Sequence, residues 1–190
     1  MARPRKFEED RAVEAAMRAF WTAGYEATST QDLCAATGLG RSSIYNTFAS
    51  KHDLFEKALR RYMEERTAGL AELMAGDPPI REKIRTVLWQ TVDPDPGDPA
   101  GCLVVNALVE LAPHDREIAE ALRRDTDRRL QLLRAAIETA RARGELGADK
   151  DPLALAHFVV ATVSGLRVAA RGGAARSALE SIANVALGAF

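Results

Sequence analysis

Gly38 parts two short segments that read as a pair of helices and as little else. Ahead of it, "ATST" offers hydroxyl caps, with Ser29 or Thr28 at the N-cap and Gln31 or Asp32 in the first turn. Leu33, Cys34, Ala36 and Thr37 make the body of that helix, and Gly38 closes it. Behind it, a second short helix runs from about Arg41 to Phe48, with Ile44 and Phe48 facing inward one turn apart. Two short helices joined through such a glycine form a helix-turn-helix.

The rest of the chain is helical as well. Val13, Ala16, Met17, Phe20 and Trp21 recur at the spacing of one apolar helix face, and Gly24 stops that helix. Ser50 is the expected cap of a long helix through Met74, and a further helix spans about Ile80 to Val92. "DPDPGDPAG", Asp93 to Gly101, must be a loop. Cys102 to Ala112 is almost wholly apolar and predicts a buried helix that Pro113 ends. A long amphipathic helix from about Asp115 to Arg143 follows, then helices over Asp151–Arg171 and Ala174–Gly188. No window alternates polar and apolar residues at period two, so the expected fold is all-α with roughly nine helices. Residues 1–50 make a three-helix N-terminal domain, and 51–190 a larger helical C-terminal domain.

The second helix of a helix-turn-helix enters the DNA major groove, so it needs an apolar inner side and a thin polar outer side. Ile44 and Phe48 supply the first; Ser42, Ser43, Asn46 and Thr47 supply the second. Arg41 suits bidentate bonds to guanine and Asn46 to adenine. Tyr45 carries a hydroxyl that can reach phosphate, and Lys51 and Thr30 can approach the backbone from either side. Arg3, Arg5 and Lys6 read as a cationic arm ahead of the first helix, or as a merely solvated tail. His52 reads as a surface residue with no apparent partner.

"AFWTAGYEATSTQDLCAATGLGRSSIYNTFASKHDLFEKAL" resembles the DNA-binding domain of the TetR family of bacterial transcriptional regulators. Phe20, Gly24-Tyr25, Thr28-Ser29, Asp32-Leu33, Ala36, Gly38, Tyr45, Phe48, Lys51 and Leu54-Phe55 carry the resemblance, over about Arg11 to Leu59. Cys34 replaces the family's usual alanine, and Gly40 its usual serine or threonine. The resemblance implies a ligand-responsive regulator, most simply a repressor that releases a palindromic operator when a small molecule binds. Its partners would be double-stranded operator DNA, a small-molecule effector and a second copy of the chain, with no cofactor and no metal.

A two-fold operator needs a two-fold protein, and the last two helices are the candidate interface. Ala161, Gly165 and Ala169 make a smooth stripe on one, and Leu179, Ile182, Ala183 and Ala186 face one side of the other. The resemblance implies a four-helix dimer bundle there. In "GCLVVNALVELAP", Asn106 and Glu110 sit one turn apart among Leu and Val, where polar groups need partners. They could line an effector pocket with Trp89, Phe158 and Thr162, or Asn106 could bond a neighbouring helix end while Glu110 reaches solvent. "GCLxxN" resembles a branch of the family that senses electrophiles or small organic molecules. Cys102 is then either a thiol sensor near a helix N-terminus or a small buried residue.

Other classes fit worse. Net charge is −1, so no basic field covers the whole chain. Cys34 and Cys102 have no CxxC or Cys/His spacing, and no phosphate loop or nucleophile motif appears, against an all-α enzyme. Cys102 and His114 would stand ~18 Å apart at 1.5 Å per residue. A non-sensing, structural DNA binder would not need so large an apolar C-terminal domain. The N-terminus shows no signal peptide, and no apolar run approaches the ~20 residues of a membrane span, so a cytoplasmic protein with no membrane partner is expected.

Overall fold

The computed structural model describes residues 3–190, with side chains from Glu9 onward. Among the described residues there are nine α-helices and no strand: α1 (Arg3–Ala23), α2 (Thr30–Thr37), α3 (Arg41–Thr47), α4 (Lys51–Ala75), α5 (Ile80–Val92), α6 (Leu103–Glu110), α7 (Arg116–Ala142), α8 (Pro152–Arg171) and α9 (Arg176–Leu187). The all-α expectation is met. α1 already includes Arg3, Arg5 and Lys6, which the sequence places ahead of the first helix; the side chains of that arm lie outside the described ones. Contacts divide the chain into two compact units. One is the chain to Glu65 with Leu103–Leu122, the other Arg66–Cys102 with Arg123–Phe190.

In the first unit, the apolar face of α1 buries Ala16, Phe20 and Trp21 almost completely. Phe20 meets Phe55 edge-on at 5.0 Å, and Trp21 meets Tyr62 in the same way at 5.0 Å. Leu33 from α2 and Ile44 from α3, with Phe48 just beyond, add three fully buried side chains, fixing the two short helices to this core. α6 joins through one face only, Leu103, Asn106 and Ala107. Leu108 and Val109 on its other side are exposed, so this helix is not buried all round as its composition suggests.

The second unit is built on α5, whose Ile80, Ile84, Val87 and Leu88 are buried against α8 and α9. Asp151 caps α8 by accepting the Leu153 N–H at 2.8 Å, with Pro152 in the first turn. The Pro-rich segment is a loop, as expected, and arginines hold it. Arg66 bonds Asp98 at 2.6 Å, Arg176 bonds both oxygens of Asp93, and Arg167 donates to the Gly101 carbonyl. By length and composition alone α8 is apolar and long enough to cross a bilayer, unlike the expectation that no apolar stretch approaches that length: an 18-residue window has mean hydropathy 1.7, with 22% of it buried. Its small residues and single stretches of polar ones hide this from a search for an unbroken apolar run.

Inside the second unit the Thr67 hydroxyl donates to Asp125 at 2.8 Å. Burial pushes the Asp125 carboxyl up from its ordinary value, more than Thr67, Arg129 and Arg128 together pull it down. A carboxyl raised in the folded state binds its proton more tightly there, so ionisation opposes folding above the folded pKa, and stability is regained as pH falls through it. Asp125→Asn keeps the acceptor for Thr67 and removes the buried charge. It is expected to raise the melting temperature at pH 7, with the gain vanishing as pH falls below the ordinary carboxylate range. A lower melting temperature at pH 7 would show that Arg128 and Arg129 outweigh burial.

Candidate nucleic-acid interface

α2 starts on a reciprocal cap. The Asp32 N–H donates to Ser29 Oγ at 3.1 Å, and the Ser29 N–H donates to Asp32 Oδ2 at 2.8 Å. Bonds from the Ser29 hydroxyl and backbone hold the Asp32 carboxyl below the usual carboxylate range. Its negative charge is thereby engaged at a helix start. Gly38 ends α2 in the left-handed region, at φ +70°, with its N–H on the Cys34 carbonyl at 3.0 Å. Gly40 then starts α3 without any side-chain cap.

On α3 only Ile44 is buried, with Phe48 just beyond it; Arg41, Ser42, Ser43, Tyr45, Asn46 and Thr47 are all exposed. Ser42, Ser43, Asn46 and Thr47 make no side-chain hydrogen bond among the described residues, so their donors and acceptors are available to a partner. Tyr45 organises its neighbours. Its hydroxyl lies 3.2 Å from Thr30 Oγ1, and the Arg41 guanidinium sits 5.9 Å from its ring centroid. The structure thus brings seven of the eight expected DNA-facing residues together at α3 and the start of α2.

Lys51 is placed differently. Its ammonium sits over the Tyr25 ring, 4.3 Å from the centroid, at the start of α4. That helix is capped by Ser50, whose Oγ accepts the Asp53 N–H at 3.0 Å. His52 is not the isolated surface residue the sequence suggests: its Nε2 lies 2.5 Å from Asp115 Oδ2. Asp115 caps α7 by accepting the Ile118 N–H, and that bond, ahead of the one with His52, holds its carboxyl low. Tyr25 is itself pushed up, first by burial and then by Glu26 and Asp115.

Glu110 and Asn106 close the other end of this assembly. The Tyr25 and Glu26 N–H groups donate to Glu110 Oε2, at 2.7 and 3.4 Å. Asn106 Nδ2, on a side chain 8% exposed, donates to the Trp21 carbonyl in the last turn of α1. Both polar groups of α6 therefore serve the α1–α2 turn. Asn106 takes the helix-end alternative, and Glu110 bonds backbone instead of escaping to solvent.

Residues 12–58 match the bacterial regulatory proteins of the tetR family, and residues 83–185 match the tetracyclin repressor-like C-terminal domain. The chain belongs to the TetR family. The HTH-type transcriptional repressor ComR of Escherichia coli (strain K12) is 31% identical, over 97% of this chain and 90% of its own length. The uncharacterized HTH-type transcriptional regulator YezE of Bacillus subtilis (strain 168) is 32% identical, over 84% of each. CifR, a TetR family regulator solved as a cysteine mutant with a 26-base-pair double-strand operator DNA, is similar in structure. Its TM-score is 0.85 at 33% identity, covering 99% of this chain and 100% of that one. This TetR-family chain is a DNA-binding transcriptional regulator and not an enzyme.

The other expected residues of this TetR-family regulator separate into groups. On α8 and α9, Ala161, Gly165 and Ile182 are exposed, together with Phe158, Val168 and Val185. Ala169 is half-buried. Leu179 and Ala186, also expected at the interface, are 5% and 3% exposed and belong to the subunit's own core, because α9 turns its Leu179–Ala183–Ala186 face inward. The six expected pocket residues fall in both units. Trp89, Cys102, Phe158 and Thr162 lie in the second, Asn106 and Glu110 in the first. Phe158 and Thr162 line a shallow apolar groove with Ile182 and Val185, and Trp89 packs under the Arg85 guanidinium. Cys102 directly precedes α6, and neither cysteine is in a disulfide.

Proposed function

We propose that this regulator is a cytoplasmic homodimeric repressor that reads a two-fold operator through α3 and leaves it when a small molecule binds the C-terminal part of the chain. Residues 1–50 carry the reading domain, and 51–190 sense and dimerise. The observation that supports it best is the surface of α3. Six exposed side chains, four of them without a side-chain hydrogen bond among the described residues, ride on a helix held by Ile44 and by Phe48 just after it. Arg41 and Asn46 then read base edges, while Thr30, Tyr45 and Lys51 position the helix on phosphates.

The exposed stripe of Phe158, Ala161, Gly165, Val168, Ile182 and Val185 supports the dimer, because so contiguous an apolar patch marks an interaction surface. A two-fold operator presents its half-sites one turn, ~34 Å, apart, so it takes two copies of α3, which a homodimer supplies.

Titration of operator and random DNA with Arg41→Ala tests the reading. Loss of a bidentate base contact is expected to cost ~1–3 kcal/mol per half-site on operator and to relax preference at one base pair. Equal losses on both DNAs would mean that Arg41 touches only phosphate.

A further inference from the structure

The second unit holds a cavity of about 590 Å³ between the end of α4, the start of α5 and the later turns of α7. Met74, Leu132, Ala136 and Ala140 give it apolar walls. Lys83 lines it too, and this ammonium side chain is only 8% exposed. Lys83 Nζ donates to the Met74 carbonyl at 2.8 Å, at the C-terminal end of α4. A helix C-terminus carries only partial negative charge, so it offers the ammonium less than a full counter-charge. Among the described residues, one of its three donors is used. No carboxylate lies within salt-bridge distance of it among the described residues. Glu145, the one carboxylate in the lining, accepts the Ile80 N–H at 2.7 Å where α5 begins. Arg128 and Arg143 are the other charged residues of the lining, so three cations stand against one engaged carboxylate.

A buried cation without a full counter-charge is costly, and an anion in the cavity would remove that cost. The volume falls in the range of small-molecule sites, roughly 300–1,000 Å³. We propose that this cavity binds a small amphipathic organic anion, its carboxylate on Lys83 and its hydrocarbon body against Met74, Leu132 and Ala136. A cation would meet Lys83, Arg128 and Arg143, and a neutral molecule would leave Lys83 as it is. The inference deepens the proposed effector response and rests on that reading only for its consequence at the operator. α4 carries Met74 at one end and follows α3 directly at the other, so occupancy here acts on the helix that succeeds the reading helix.

Calorimetric titration of the DNA-free protein with phenylbutyrate, phenylbutanol and phenylbutylamine tests the binding itself. Phenylbutyrate is expected to bind about tenfold or more tightly than the alcohol, and the amine not measurably. Lys83→Met should erase the preference for the acid over the alcohol, and Ala136→Trp, which fills the cavity, should weaken both. Equal binding of acid and alcohol to the unmodified protein would overturn the proposal without any variant. So would undiminished acid binding in either variant. Operator release by phenylbutyrate is read separately. Binding without release removes the effector role and leaves the anion site, whereas failure of the protein to bind operator at all strikes only the DNA reading.

Discussion

Gly165→Leu is expected to leave a folded subunit that no longer dimerises and hardly binds operator. Gly165 lies on the exposed side of α8, and a Cβ built there meets nothing within 4 Å in its own subunit. The larger side chain therefore strains no intrasubunit contact, and leucine is ~1 kcal/mol better than glycine inside a helix. The subunit should melt no lower than the unmodified protein. In a dimer packed through the Ala161–Gly165–Ala169 stripe, the same leucine stands where the partner approaches. Overpacking costs ~1–3 kcal/mol, and symmetry imposes it twice. A monomer holds one half-site at a time and loses the linkage gain, about 10²–10⁴ in operator affinity. Sedimentation at micromolar concentration and operator titration read the two effects independently. A variant that remains dimeric would move the interface off this stripe.

The sequence carries the reading unit almost completely because its signals are local. Ser29, Gly38 and Ser50 act on groups within four residues of themselves, and α3 shows its two sides by spacing alone. The α8–α9 surface was half legible. Gly165 and Ile182 face outward as their stripes suggest, but a helix as apolar as α9 has two plausible inner faces, and Leu179 and Ala186 turn toward their own core. What spacing cannot show is pairing across the chain. Glu110 bonds a turn 85 residues away, His52 bonds Asp115 across 63, and a sequence offers no distance between them. Lys83 shows the same limit. Its burial comes from the end of α4 and, from farther along the chain, α7, which close over it.

Gly24→Ala is expected to be the most destabilising single-methyl change in the first unit. Gly24 sits at φ +90°, where a side chain costs roughly 1–3 kcal/mol in backbone strain. Its new Cβ would also fall 2.2 Å from Glu110 Oε1, far inside van der Waals contact. That carboxylate is the end of a flexible side chain and can swing away, but only by leaving the Tyr25 N–H it accepts at 2.7 Å. Hydrogen bonds to charged groups contribute about 1.5–3 kcal/mol, so the two effects sum to ~2.5–6 kcal/mol. Glu110→Ala separates them. It removes the carboxylate and the obstacle together, so Gly24→Ala in that background should cost the backbone strain alone, ~1–3 kcal/mol. Denaturant melts of the four proteins close the cycle. If the two substitutions add independently, Glu110 does not hold the α1–α2 turn, and α6 is joined to α1 by the Asn106–Trp21 bond and the packing of Leu103 and Ala107.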